Sequence, residues 1–187
     1  MIDVLKNKIW LTAKIRMVAE SRRKMLSRIL WVLMVWYSFS SLVVHLFSNS
    51  IKDLNPAEFG ALFSVLSLMA PLVSLGLGLD ILADKFRDCY LRLQKLLDHP
   101  SPDDELARQY SDILDIHPNH SPADYQDFLV GNITIEKKPL TDAVGNKIEV
   151  TWWMVTSYII RKMAFWSLSF ALFAFPVVYL ITPFFSH

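Results

Sequence analysis

FGALFSVLSLMAPLVSLGLGL, residues 59–79, carries no Asp, Glu, Lys or Arg. Coiled as an α-helix it rises about 30 Å, the thickness of a bilayer's hydrocarbon core. On either side, ILWVLMVWYSFSSLVVHLFS at 29–48 and MAFWSLSFALFAFPVVYLITPFF at 163–185 are equally free of formal charge. Lipid offers the backbone no hydrogen bonds, so a run that enters it must be a helix, which satisfies its own. The expected fold is an all-α membrane protein. It comprises a transmembrane hairpin (29–48 and 59–79, together 29–79), cytoplasmic helical extensions, and a third transmembrane helix at 163–185.

Charge around the spans sets the expected orientation. Residues 1–28 hold eight Lys/Arg against Asp3 and Glu20, and Lys24 and Arg28 stand just before the first span. Lys85 and Arg87 follow the second, Arg161 and Lys162 precede the third, and the 49–58 turn offers only Lys52. The positive-inside rule places the N-terminus and residues 80–162 in the cytoplasm and the C-terminus outside. The first run starts too late and is too long for a cleaved signal peptide. A net charge of +1 gives no basic field for nucleic acid. Cys89 is the single cysteine, which rules out an intrachain disulfide or a Cys-rich metal site. No phosphate-binding loop, zinc-protease motif, nucleophile elbow or dinucleotide fingerprint is present, so the chain reads as neither an enzyme nor a cofactor protein. His99, His117 and His120 match no zinc spacing.

The soluble parts read as helices. Residues 1–28 form a basic amphipathic helix with Leu11, Ile15, Val18, Met25 and Ile29 on one stripe, interrupted by Arg22. It can lie on anionic lipid or pack on a neighbour. Beyond the second span the helix is expected to continue to residue 97. Leu82, Phe86, Cys89, Leu93 and Leu96 then form a seam for another helix of this chain or of a second subunit. Ser101-Pro102 and Ser121-Pro122 are cap-plus-proline starts of two short helices. Asp112, Asp115, Asp124 and Asp127 read as a solvated acidic face. Between 131 and 150, Ile133, Ile135, Ile148 and Val150 flank Pro139 and Gly145-Asn146, the pattern of a small β-hairpin.

Two polar stripes run along the spans. Ser38, Ser41, His45 and Ser48 step by three, four and three on the first, and Ser64, Ser67, Ser74 and Gly78 follow the second. Such stripes either line a water-filled path in an oligomer or let helices pack closely through small residues. For the first span the two readings are even; for the second, packing is favoured. Three spans cannot enclose a wide pore, so conduction needs a homo-oligomer. Pro176 is expected to kink the third span.

The order of TAKIRMVAESRRKMLSRIL, a two-span hairpin, ILADKFRDCYLRLQKLL and QYSDILDIHPNHSPADYQDFL resembles the SLATT family, the SMODS- and SLOG-associating two-transmembrane effectors of bacteria. Tyr110, Ile113, Leu114, Asn119, His120, Asp124 and Tyr125 carry the most specific part of the likeness, which covers about residues 8–130. Pro118 and the third span depart from the family pattern. The resemblance implies a membrane effector of anti-phage defence. On that reading it opens or disrupts the inner membrane, in abortive infection, when a partner senses phage. The partner is a nucleotide-second-messenger synthase or, in one branch, a reverse transcriptase. Asn119, His120 and Asp124 become candidates for a regulatory surface, with a structural turn as the plainer reading. The alternative function is a non-conducting membrane anchor for a cytoplasmic defence partner.

Overall fold

The computed structural model describes residues 2–47, 56–99, 102–142 and 145–185. Among the described residues six α-helices follow one another: α1 (Ile2–Phe47), α2 (Pro56–Gly76), α3 (Leu79–Asp98), α4 (Asp103–Ile116), α5 (Pro122–Leu129) and α6 (Trp152–Phe185). A π-helical turn, Val130–Ile135, prolongs α5. Three helical stretches, Val4–Leu46, Ala57–Asp98 and Trp152–Ile181, are long and apolar enough to cross a membrane. The protein is an all-α membrane protein. By contact it divides into two compact units, Met1–Lys24 with Asp80–Arg161, and Met25–Leu79 with Lys162–His187.

The second unit holds the most apolar stretches. Helix α1 contains neither Gly nor Pro, so nothing in its backbone interrupts it. Leu33, Tyr37 and Val44 of α1 pack with Phe63 and Ala70 of α2, and Leu172, Phe173 and Tyr179 of α6 close over them. Phe59 and Tyr179 stack at 3.9 Å between ring centroids. The outward side chains are apolar, among them Val35, Phe39, Leu68, Leu72, Leu168 and Phe170, as a lipid-facing surface requires.

Pro176 is fully buried in α6. Lacking an N–H, it cannot bond the carbonyl four residues back, that of Leu172. The Tyr37 hydroxyl donates to that same carbonyl at 2.9 Å. Trp36 Nε1 donates to the next one, Phe173 O, at 3.0 Å. α1 thus supplies the hydrogen bond that the proline removes from α6.

The helix expected to run unbroken from the second span to residue 97 is interrupted. α2 ends at Gly76 and α3 starts at Leu79, with Gly78 at φ 58°. That left-handed conformation suits glycine, which has no Cβ to clash. Its N–H bonds Leu75 O at 3.0 Å.

The first unit is a soluble-type core. One face of α1, Ile9 and Ala13, packs on Cys89, Leu93 and Leu96 of α3 and on Leu106 and Tyr110 of α4. Another face, Ile15 with Leu11 and Val18, packs on Phe128, Leu129 and Leu140. Of the two proposed caps, Ser121 closes a full capping box on α5 with Asp124, whereas Ser101 lies outside the described residues. His117 ends α4, its Nδ1 2.7 Å from Ile113 O and its Nε2 3.0 Å from Asp88 Oδ2.

The hairpin expected within 131–150 is mostly absent. Ile133 and Ile135 lie in the π-helical turn; among the described residues one antiparallel bridge, Thr141 to Lys147, joins the rest, flanked by bonds from Asp142 N to Asn146 O and from Ile148 N to Leu140 O. The helical state wins because α5 is already nucleated by its cap and carries on through Asn132, whose Nδ2 bonds Phe128 O at 2.9 Å.

Candidate functional site

In the membrane-type unit the two serine stripes face each other. Ser38 Oγ lies 2.6 Å from Ser67 Oγ, which donates to Met34 O at 3.1 Å. Ser41 Oγ reaches Gly60 O at 3.1 Å and Ser64 Oγ at 3.2 Å, and Ser64 donates to Gly60 O at 2.7 Å. Ser27 and Ser74 pair at 3.1 Å in a buried contact. Small side chains let α1 and α2 approach, and each hydroxyl finds an acceptor that lipid would not provide. Gly78 belongs to the turn instead; a Cβ there would meet nothing within 4 Å. Ser38, Ser41 and Ser64 also border an open groove of about 420 Å³, together with His45 and Gly60. Ser48 lies outside the described residues.

The seam of α3 is used inside its own unit. Phe86, Cys89 and Leu93 are at most 1% exposed and Leu96 is 8% exposed, so these four side chains are covered within the chain; Leu82 is half-buried. Burial also pushes the Cys89 thiol above its ordinary pKa.

At the heart of the same unit is a cluster of arginines and carboxylates. Asp124 is 0% exposed. One of its oxygens accepts from Ser121 N at 2.9 Å and Ser121 Oγ at 2.7 Å. Arg22 Nη1 reaches the other at 2.6 Å, and Arg23 Nη1 lies 3.3 Å from Oδ2. Asp127 lies 3.5 Å from Arg22 and 2.7 Å from Arg161, which also donates to Gln126. The Arg23 guanidinium stands 4.5 Å from the Phe86 ring centroid. Burial would raise the Asp124 carboxyl, but the Ser121 bonds and the charges of Arg23 and Arg22 hold it below its ordinary value. The solvated acidic face is therefore corrected at Asp124 and Asp127, which are buried and paired; Asp112 and Asp115 are exposed.

Arg16 is 2% exposed and donates to Pro118 O. Beside it, His120 has a buried Nδ1 with no hydrogen-bond partner among the described residues. Asn119 is exposed, and its Oδ1 accepts from His120 N at 2.9 Å. The sequence alone does not mark Arg16, Asp127 and Arg161 as site residues; it shows Asp127 only as part of an acidic face and Arg161 only as a charge before the third span. The legible hint was Arg22 breaking an apolar stripe, which a helix tolerates when the charge is paired. Among the described residues no group of three or more His, Cys, Asp or Glu is arranged to hold a metal.

A unit of long apolar helices joined in one chain to a helical unit with a buried ionic core defines a helical membrane protein of two compact units. The chain matches SMODS and SLOG-associating 2TM effector domain family 5 over residues 1–185, and it belongs to that family. The match extends past the expected 8–130 and takes in α6, so the third apolar helix is part of the family region. No curated protein and no solved structure shows significant similarity.

Proposed function

We propose that this effector acts in bacterial anti-phage defence as an oligomer that opens or perturbs the inner membrane, its N-terminus in the cytoplasm. Family membership supports the effector class and a membrane setting. The observation that carries the finer reading is the groove bordered by Ser38, Ser41, His45 and Ser64. A polar groove on an otherwise apolar surface is costly against lipid. It is relieved when copies bring their grooves together around water. Because most of the α3 seam is covered within its own chain, the groove face is the assembly surface in this proposal. The trigger is a second-messenger synthase or a reverse transcriptase acting on the soluble unit.

The second reading, a non-conducting anchor, draws on the serine pairs, whose hydroxyls are already satisfied between α1 and α2. Induced expression with a membrane-potential dye separates the two. A pore predicts depolarisation that disappears in Ser41→Leu or His45→Leu protein that is still inserted. Unchanged potential in the presence of the proposed synthase or reverse-transcriptase partner and infecting phage refutes the pore and supports the anchor.

A further inference from the structure

A second cavity, of about 460 Å³, lies wholly within the soluble-type unit, between α1 and the π-helical turn. Its size falls in the range of small-molecule sites. Trp10 and Phe128 line it, their rings edge to face at 6.5 Å. Lys14 also lines it, half-buried, with its Nζ 5.9 Å from the Trp10 ring centroid. Among the described residues Lys14 makes no ion pair, which leaves a partly desolvated cation seeking an anion. Lys138 adds a second ammonium at the rim, paired with Glu136 at 2.8 Å.

The backbone around this cavity departs from regular geometry twice. Val130–Ile135 is π-helical, and Lys137 takes φ 55°, a left-handed conformation rare for a residue with a Cβ. π-turns and such outliers persist where the surroundings hold them, often at binding sites. The π-turn brings Asn132 to the wall. With Nδ2 committed to Phe128 O, its Oδ1 accepts no bond among the described residues. The wall thus offers aromatic faces, the Lys14 ammonium, the ammonium–carboxylate pair of Lys138 with Glu136, and one amide acceptor.

We propose that this cavity binds a small organic anion carrying a flat heteroaromatic ring. The ring packs against Trp10 and Phe128, an amino group on the ring donates to Asn132 Oδ1, and the anionic group sits on Lys14, with the Lys138–Glu136 pair at the edge. This does not depend on conduction, because binding is read without any membrane potential.

The test is calorimetry on the full chain in lipid nanodiscs. The titrants are adenosine monophosphate, phenyl phosphate, adenosine and inorganic phosphate. Saturable binding of adenosine monophosphate is expected, tighter than that of phenyl phosphate and at least tenfold tighter than that of adenosine or inorganic phosphate. Lys14→Ala weakens it at least tenfold and Lys14→Arg restores most of it, with circular dichroism unchanged in both. No saturable heat with adenosine monophosphate, or equal binding by Lys14→Ala, overturns the assignment. Should Lys14→Ala misfold, protection of Trp10 from oxidative modification by the bound phosphate decides; absence of protection overturns it.

Discussion

Asp124 is the residue on which the soluble-type unit turns, because one buried carboxylate both caps α5 and receives two arginines of α1. Removing one partner of a buried ion pair leaves the others uncompensated and costs about 3–5 kcal/mol. Asp124→Ala is therefore expected to lower stability by about that much, and Asp124→Asn by less, since an amide oxygen still accepts from Ser121 N. Chemical denaturation in detergent, followed by circular dichroism, checks the order of the two. His120 predicts a pH dependence. Burial first, and the Arg16 charge second, hold its imidazole below the ordinary 6.5, against the opposing pull of Asp124. A base with a lowered folded pKa binds fewer protons folded than unfolded, so stability falls as pH drops below 6.5. The Asp124 carboxyl, also held low, adds its loss below about 3.8. Amide exchange in α5, corrected for intrinsic rate, should show weaker protection at pH 5.5 than at pH 7. His120→Gln should flatten that difference. The sequence showed the cap, Ser121-Pro122-Ala123-Asp124, because capping is local. It hid the arginines that meet Asp124, because they lie about a hundred residues away.

Among the elements, periodicity and charge gave the helices, while their interruptions came from features that periodicity does not register. Gly78 looked like one more small residue on a packing stripe, yet its φ of 58° places it in the turn that ends α2. Gly78→Ala is expected to cost about 1 kcal/mol, whereas Gly76→Ala, at the last residue of α2 with open space at its Cβ, should not destabilise. Thermal unfolding of the two variants in the same detergent compares them directly. Pro176 was legible as a kink, but not the Tyr37 hydroxyl that compensates it, since sequence spacing does not say which helix lies alongside. Tyr37→Phe is expected to cost about 1–2 kcal/mol by leaving Leu172 O unbonded. In a Pro176→Ala background, where residue 176 supplies its own N–H, that cost should vanish, and a double-mutant cycle reads the difference. The serine stripes were visible at their spacing; that they face each other required the packing of α1 on α2.

At the scale of the whole chain, the division into apolar and soluble-type parts follows from where charge is absent, which is why three apolar helices could be read directly from the sequence. The family likeness is carried most specifically by residues between Tyr110 and Tyr125, and the match reaches beyond residues 8–130 to include α6. Cys89, the only cysteine, is 0% exposed in the core of the soluble-type unit and its thiol is held in the unreactive protonated form. Maleimide should therefore label the resting protein at least about tenfold more slowly than the denatured one. If activation opens this unit, labelling accelerates with it; equal rates in resting and denatured protein would mean the core is not closed.

The bond from Tyr37 to Leu172 also bears on how the protein is made. Translation delivers α1 long before α6 leaves the ribosome. The hydroxyl that closes the gap left by Pro176 is therefore already in place when the last helix arrives, so α6 meets a waiting donor instead of entering lipid with an open carbonyl.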